Sequence, residues 1–324
     1  MPDSSRPDVR SVRIPPRVGV AAGLLIGLVA DRAVGDPRRL HPVAGLGRAI
    51  GLAESWLYHD TRRHGVLLAG LCVGTAWTAG ELVGARTRGA ARVVVTAATT
   101  WSVLGGTTLC RVGEDMADLL DDGDLDGARA LVPSLCGRDP EALDAAGMVR
   151  AAVESIAENT SDAAVAPLFW GGVAGLPGLV AYRTVNTLDS MVGYRSPRHE
   201  RFGWASARLD DLVNLVPARL SGLLVAALGG APGRSVGAWR RDARAHPSPN
   251  AGVVEAAFAG ALGVRLGGRT EYPHGVEQRP ELGSGPAATT ADLRAAARLS
   301  RRVQVGAALV AAGLAVGVSR RSGA

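Results

Sequence analysis

Three acidic segments of the chain carry residues whose types and spacing can do chemistry. In RAAVESIAENTSD (150–162), Arg150, Glu154, Glu158 and Asp162 recur every fourth residue, so on a helix they share one face. Like charges at that spacing repel by roughly a few tenths of a kcal/mol per pair. The segment runs straight into an apolar stretch, where unpaired charge is expensive. A compensating cation is therefore expected, either Arg from another segment or Mg²⁺, which takes carboxylate oxygens together with substrate phosphates. In FGWASARLDDLVNLVPAR (202–219), Ser206, Asp210 and Asn214 share a face, and Arg208 can pair with Asp211. Asp210 and Asp211 stand at the mouth of an apolar helix that contains Arg219, their counter-ion or a phosphate contact. In YRTVNTLDSMVGY (182–194), Asn186, Asp189 and Ser190 fall on one helical face between apolar residues. Buried there, they need partners: a ligand, a metal or a neighbouring helix.

Two further segments add bases and donors. DRAVGDPRRLHP (31–42) holds Asp36 and His41, with Pro37 and Pro42 forcing an extended or turning chain. A solvated loop with Arg at lipid headgroups is the competing interpretation. HPSPNAG (246–252) is a Pro- and Gly-fixed loop feeding a helix, and His246, Ser248 and Asn250 can cradle an anion with the helix N-terminal amides. An ordinary cap by Asn250 would look the same.

These segments are positioned by apolar runs. Hydrophobic residues make up 47% of the 324, charged residues only 20%, and mean hydropathy is positive. Apolar stretches cover about 18–30, 65–85, 93–110, 163–182, 212–233 and 303–319. The expected fold is all-α: a polytopic membrane bundle with interfacial or re-entrant helices and a polar site on the cytoplasmic side. Residues 1–17 are expected to be a disordered tail, and 18–324 one integral-membrane catalytic domain. The stretch 163–182 holds Gly171-Gly172 and Gly175-Leu-Pro-Gly178, so it is one kinked helix or two half-helices. Residues 111–162 are expected to be helical and water-exposed, and Leu266–Thr290, rich in Gly and Pro, to be loop.

All 36 basic residues are Arg. Without Lys there is no P-loop lysine and no Schiff-base lysine, so Walker-type nucleotide binding and PLP-lysine chemistry are excluded. The net charge of +6 does not imply nucleic acid, because the Arg residues cluster at the ends of apolar runs. The three cysteines show no metal-ligand spacing.

Taken together, GDPRRLHPV (35–43), VESIAENTSD (153–162), NTLDSMVGY (186–194), FGWASARLDDLVNLVPARL (202–220) and HPSPNAGVVEAAFAGALGVRLGG (246–268) resemble the CobD/CbiB family, adenosylcobinamide-phosphate synthase of cobalamin biosynthesis. The resemblance runs in order from about residue 20 to residue 318. It departs at Ala163, where Gly is frequent, and in the N-terminal tail.

The resemblance implies an acid–amine ligase. Such an enzyme joins (R)-1-amino-2-propanol O-phosphate, or aminopropanol, to a propionate of adenosylcobyric acid and consumes ATP with Mg²⁺. It implies Glu154, Glu158, Asp189, Asp210 and Asp211 as catalytic contacts, with Glu158, Asp162 and Asp210 as metal ligands. Arg183, Asn186, Arg195, Arg208, Asn214, Arg219, His246, Ser248, Asn250, Asp36 and His41 would bind substrate or phosphate. The expected place is the cell membrane, multi-pass, beside other cobalamin-assembly enzymes. Two other classes fit parts of the pattern. A Mg²⁺-dependent membrane prenyltransferase would also use Asp210, Asp211 and Asn214, but it repeats a two-acid motif that is absent here. A small-molecule transporter would explain broken helices and intramembrane charge, but no two halves match. Because ATP and corrin are cytoplasmic, one shared site requires 163–182 and 212–233 to be re-entrant or buried rather than full crossings.

Overall fold

In the computed structural model, which describes residues 14–36, 42–194, 196–272 and 275–321, helices pack around a core of small apolar side chains. The first helix, α1 (Pro16–Val34), starts on a proline, whose missing N–H costs nothing there. It therefore takes in the last two residues of the expected tail, whose first thirteen lie outside the described residues. Gly23 and Gly27 of α1 press against Thr96 and Thr100 of α4 (Gly89–Val103), where a Cβ would come within 2.5 and 2.4 Å of the threonine Cβ atoms. Small residues at that spacing let helix backbones approach without water.

Three helical stretches are long and apolar enough to cross a membrane: α3 (Arg62–Arg86), α4 with α5 (Gly106–Asp121), and the greater part of α14 (Thr290–Arg321). They correspond to the expected stretches 65–85, 93–110 and 303–319. A fourth is possible if α10 (Trp204–Val213) and α11 (Leu215–Leu228), bent by 45° at Asn214, act as one span. This is the helix inventory of a membrane protein.

The stretch 163–182 is two half-helices. Helix α7 (Ala145–Thr160) passes through a π-helical turn, Ser161–Val165, into α8 (Ala166–Ala174). Gly175, at φ 71°, turns the chain into α9 (Leu176–Leu188). There Pro177 lies against Gly80 of α3, where a Cβ would sit 2.5 Å from the proline Cα. A second π-helical turn, Asp189–Gly193, ends α9. Such turns widen a helix by one residue and are frequent at functional sites.

Two expectations are corrected. Helix α7 is buried over almost its whole length, with Met148, Val153, Ile156 and Ala157 in the core, so the later part of 111–162 is not water-exposed, whereas the acidic stretch 121–126 is exposed as expected. The Ala-rich composition of α7 reflects close packing. The Gly- and Pro-rich stretch after residue 265 is not all loop: β1 (Leu266–Tyr272) and β2 (Gly275–Leu282) form an antiparallel hairpin, with a bulge between Leu266 and Gly268. The remaining helices are α2 (Pro42–Leu57), α6 (Leu125–Leu131), α12 (Pro232–Asp242) and α13 (Ala251–Leu262).

Candidate functional site

Glu154 and Glu158, one turn apart on α7, belong to two adjoining polar clusters. The first is an ion network inside the protein. Glu154 is buried and pairs with the buried Arg138. Its Oε1 accepts the Gly267 amide at 2.7 Å, and Arg279 Nη1 of β2 stands 3.8 Å from its Oε2. Arg279 Nη2 is also 3.5 Å from Glu255 Oε1 and contacts His246 Nε2. His246 Nδ1 accepts from the Ser248 amide at 3.1 Å and lies 3.2 Å from Ser248 O, so the Ser248 backbone fixes the ring in place. Burial, and then Arg279, pull the His246 pKa down to about 4, so the ring is neutral at physiological pH. Burial and then Glu154 push the Glu255 carboxyl well up, which favours its neutral form. The two guanidiniums are thereby left facing Glu154 and Glu158.

The second cluster gathers acids from three motifs. Asp162 lies in the first π-helical turn, Asp189 in the second, and Asp210 on α10. The Asp162 carboxyl is pushed well up by burial first, then by Asp210, Glu158 and Asp189, with Arg183 opposing. Asp189 is raised to about 6 by burial, then by Asp211 and Glu158. Glu158 is raised by burial, opposed by Arg279. It is surrounded by protein, yet solvent reaches it, so it lines a cleft rather than the core. Asn214 Nδ2 donates to Asp210 Oδ2 at 2.9 Å, and Asn214 Oδ1 accepts from Tyr182 at 2.9 Å. Arg183 lies within electrostatic reach of Asp36 and Asp162 and donates to Asn186 Oδ1 at 3.4 Å.

The loop His246–Asn250 borders both clusters. Asn250 Nδ2 donates to Asp211 O at 2.7 Å, and its Oδ1 accepts Arg219 Nη1 at 2.7 Å. The Asn250 side chain therefore does not cap α13; Ser248 Oγ does, accepting the Asn250 and Ala251 amides at 3.2 and 3.1 Å. Arg219 is engaged by Asn250 and by Leu215 O rather than by the adjacent acids. Arg208 is exposed, 3.6 Å from Asp211 Oδ2. Thus Glu158, Asp162, Asp189, Asp210, Asp211, Arg183, Asn186, Asn214 and Asp36 come together, while Glu154 and His246 belong to the ion network. His41 and Arg195 lie outside the described residues.

The donor set is one of hard carboxylate oxygens, and Asp210 Oδ1 is buried without a hydrogen-bond partner. Among the described residues, no three His, Cys, Asp or Glu side chains form a ready-made metal cage. Hard carboxylate oxygens of this kind suit a hard divalent cation, which Glu158, Asp162 or Asp210 could hold only together with water or a ligand.

Arg138 and Arg279 neighbour the site outside every sequence motif, while Glu255 and Tyr182 lie inside two of the motifs without having been given a role. Glu255 had a signal: it is the only charged residue of α13. Arg279 was hidden in the stretch expected to be loop.

The family model described as CobD/Cbib protein matches residues 24–300. A relative named Cobalamin biosynthesis protein CobD from Mycobacterium tuberculosis is 53% identical over 295 residues, covering 90% of this chain and 94% of its own. Proteins of the same name from Rhodobacter capsulatus (44% identical; 90% and 96% covered) and Geobacter metallireducens (47%; 81% and 86%) are also similar. No solved structure matches the chain. With three relatives 44–53% identical and covered over most of their length, and a family match over residues 24–300, the chain belongs to the CobD/CbiB family.

Proposed function

We propose that the protein acts in cobalamin biosynthesis as an ATP-dependent acid–amine ligase, joining (R)-1-amino-2-propanol O-phosphate, or aminopropanol, to adenosylcobyric acid to give adenosylcobinamide phosphate. The observation that carries this reading is the convergence of Glu158, Asp162, Asp189 and Asp210 around one cleft, in a chain whose relatives are named for cobalamin biosynthesis.

A carboxylate does not condense with an amine unaided at neutral pH. In the proposed route, the corrin propionate takes the γ-phosphoryl group of ATP and releases ADP. The amine then displaces phosphate from the acyl phosphate and forms the amide. Mg²⁺ held by Glu158, Asp162 or Asp210 would supply charge neutralisation at the phosphates. Arg183, beside Asp36 and Asp162, spreads charge on the transferred group. Asp189, with a pKa of about 6, is ionised at neutral pH and suited to hold the ammonium and take its proton. The Tyr182–Asn214–Asp210 chain orients the Asp210 carboxylate.

Because ATP and corrin are cytoplasmic, the site belongs on the cytoplasmic side of the cell membrane, beside other cobalamin-assembly enzymes. Membranes containing the protein, given adenosylcobyric acid, aminopropanol phosphate, ATP and Mg²⁺, should yield a corrin with the mass of the added arm. No such product, where a CobD relative makes it, would refute the reading.

A further inference from the structure

The loop that borders the carboxylate site has a second face. There α11, α12 and the loop enclose a cavity of about 990 Å³. Leu223 and Trp239 form its apolar wall, and Arg219, Arg240 and Arg244 line it with no Asp or Glu among them. Arg219 is held by Asn250. Arg240 and Arg244 are exposed and make no hydrogen bond or ion pair among the described residues. Three cations without an acid raise the local potential and attract an anion. The apolar wall continues outward: Leu212, Val216 and Leu223, on the bent helix pair, are each more than half exposed. Water gives that flank nothing to pack against, whereas lipid chains do. Trp and Arg placed together where an apolar flank turns polar is the arrangement found at lipid headgroups.

We propose that this cavity binds an anionic phospholipid. Its phosphate lies between Arg240 and Arg244 with Arg219 beside them, and its acyl chains leave over Leu223 and Val216. The inference does not depend on the ligation reading. Its consequence for the site is that lipid would steady the loop whose Asn250 holds Arg219 and Asp211.

The test uses the full-length protein in a neutral detergent, titrated with phosphatidylglycerol or phosphatidylcholine, with bound lipid counted by native mass spectrometry. Phosphatidylglycerol should bind in preference, and Arg240→Gln with Arg244→Gln should weaken it by about 10- to 30-fold. Arg86→Gln with Arg88→Gln, two exposed cations at the turn from α3 to α4 and outside the cavity lining, should leave it unchanged. Equal loss in both pairs, or no preference for the anionic lipid, overturns the proposal. So does a non-hydrolysable ATP analogue whose binding is lost with Arg240 and Arg244 while the lipid stays. Should the Arg pair fold poorly, quenching of tryptophan fluorescence by phosphatidylglycerol with brominated chains decides: Trp239→Phe should remove part of it, and undiminished quenching would count against the cavity.

Discussion

The Gly267 amide donates to Glu154 Oε1 at 2.7 Å, which ties the β-hairpin to the buried helix α7. Gly267 has φ 81°, and a Cβ there would lie 2.0 Å from Pro280 O. Gly267→Ala is therefore expected to cost roughly 1–3 kcal/mol and to loosen Glu154. A fall in thermal stability in detergent checks it; an unchanged melting temperature would show that the hairpin does not constrain α7.

The same network makes an asymmetric prediction. Glu154 keeps Arg138 when Arg279 is removed but loses its second cation, and Glu255 and His246 lose a shared partner, so Arg279→Gln should destabilise by roughly 1–3 kcal/mol. Glu255 already favours its neutral form, so Glu255→Gln should be nearly silent. Thermal unfolding at pH 7.5 ranks the two, and the reverse order would contradict the charge assignment.

How far this was legible in the sequence depends on the element. The four-residue acid spacing put Glu154 and Glu158 one turn apart on α7, although Glu154 turns into the ion network, and Gly175 with Pro177 marked the break between half-helices. The hairpin was not legible, because its Gly and Pro content reads as loop and its partner strand gives no helical or alternating signal of its own. Nor was Arg138, a lone Arg in a turn whose partner Glu154 is sixteen residues away. The π-helical turns that carry Asp162 and Asp189 are set by tertiary packing, which local propensity does not encode.

The pH dependence has two signs. Asp189 is raised from 3.8 to about 6, so its contribution to stability is complete below the lower value and lost as pH rises through the higher. With a chelator present, Asp189→Asn should be more heat-stable than wild type at pH 7.5, the difference closing below pH 6. His246 is lowered from 6.5 to about 4, so its contribution is complete above the higher value and lost as pH falls through the lower. Wild type should lose stability over that window and His246→Gln should not lose as much. Parallel profiles would remove both assignments.

Asp162 and Asp189 flank α8 and α9 yet belong to one cluster, so this helical pair returns to the side it left. In a cysteine-free background, Glu141→Cys, Glu200→Cys and Pro249→Cys, all exposed, should react with an impermeant maleimide from the same side of the membrane. Labelling of Glu141→Cys and Glu200→Cys from opposite sides would mean that the pair crosses.

The proposed ligation takes place at the carboxylate cleft. It is tested most directly by measuring the ATP-dependent corrin amide product with wild-type protein, Glu158→Gln and Asp210→Asn in the same membranes at matched insertion. Wild type should form product, and each variant should lose activity by about 100-fold or more. Product at the wild-type rate from either variant would remove that carboxylate from the mechanism, and undiminished product from both would contradict the account.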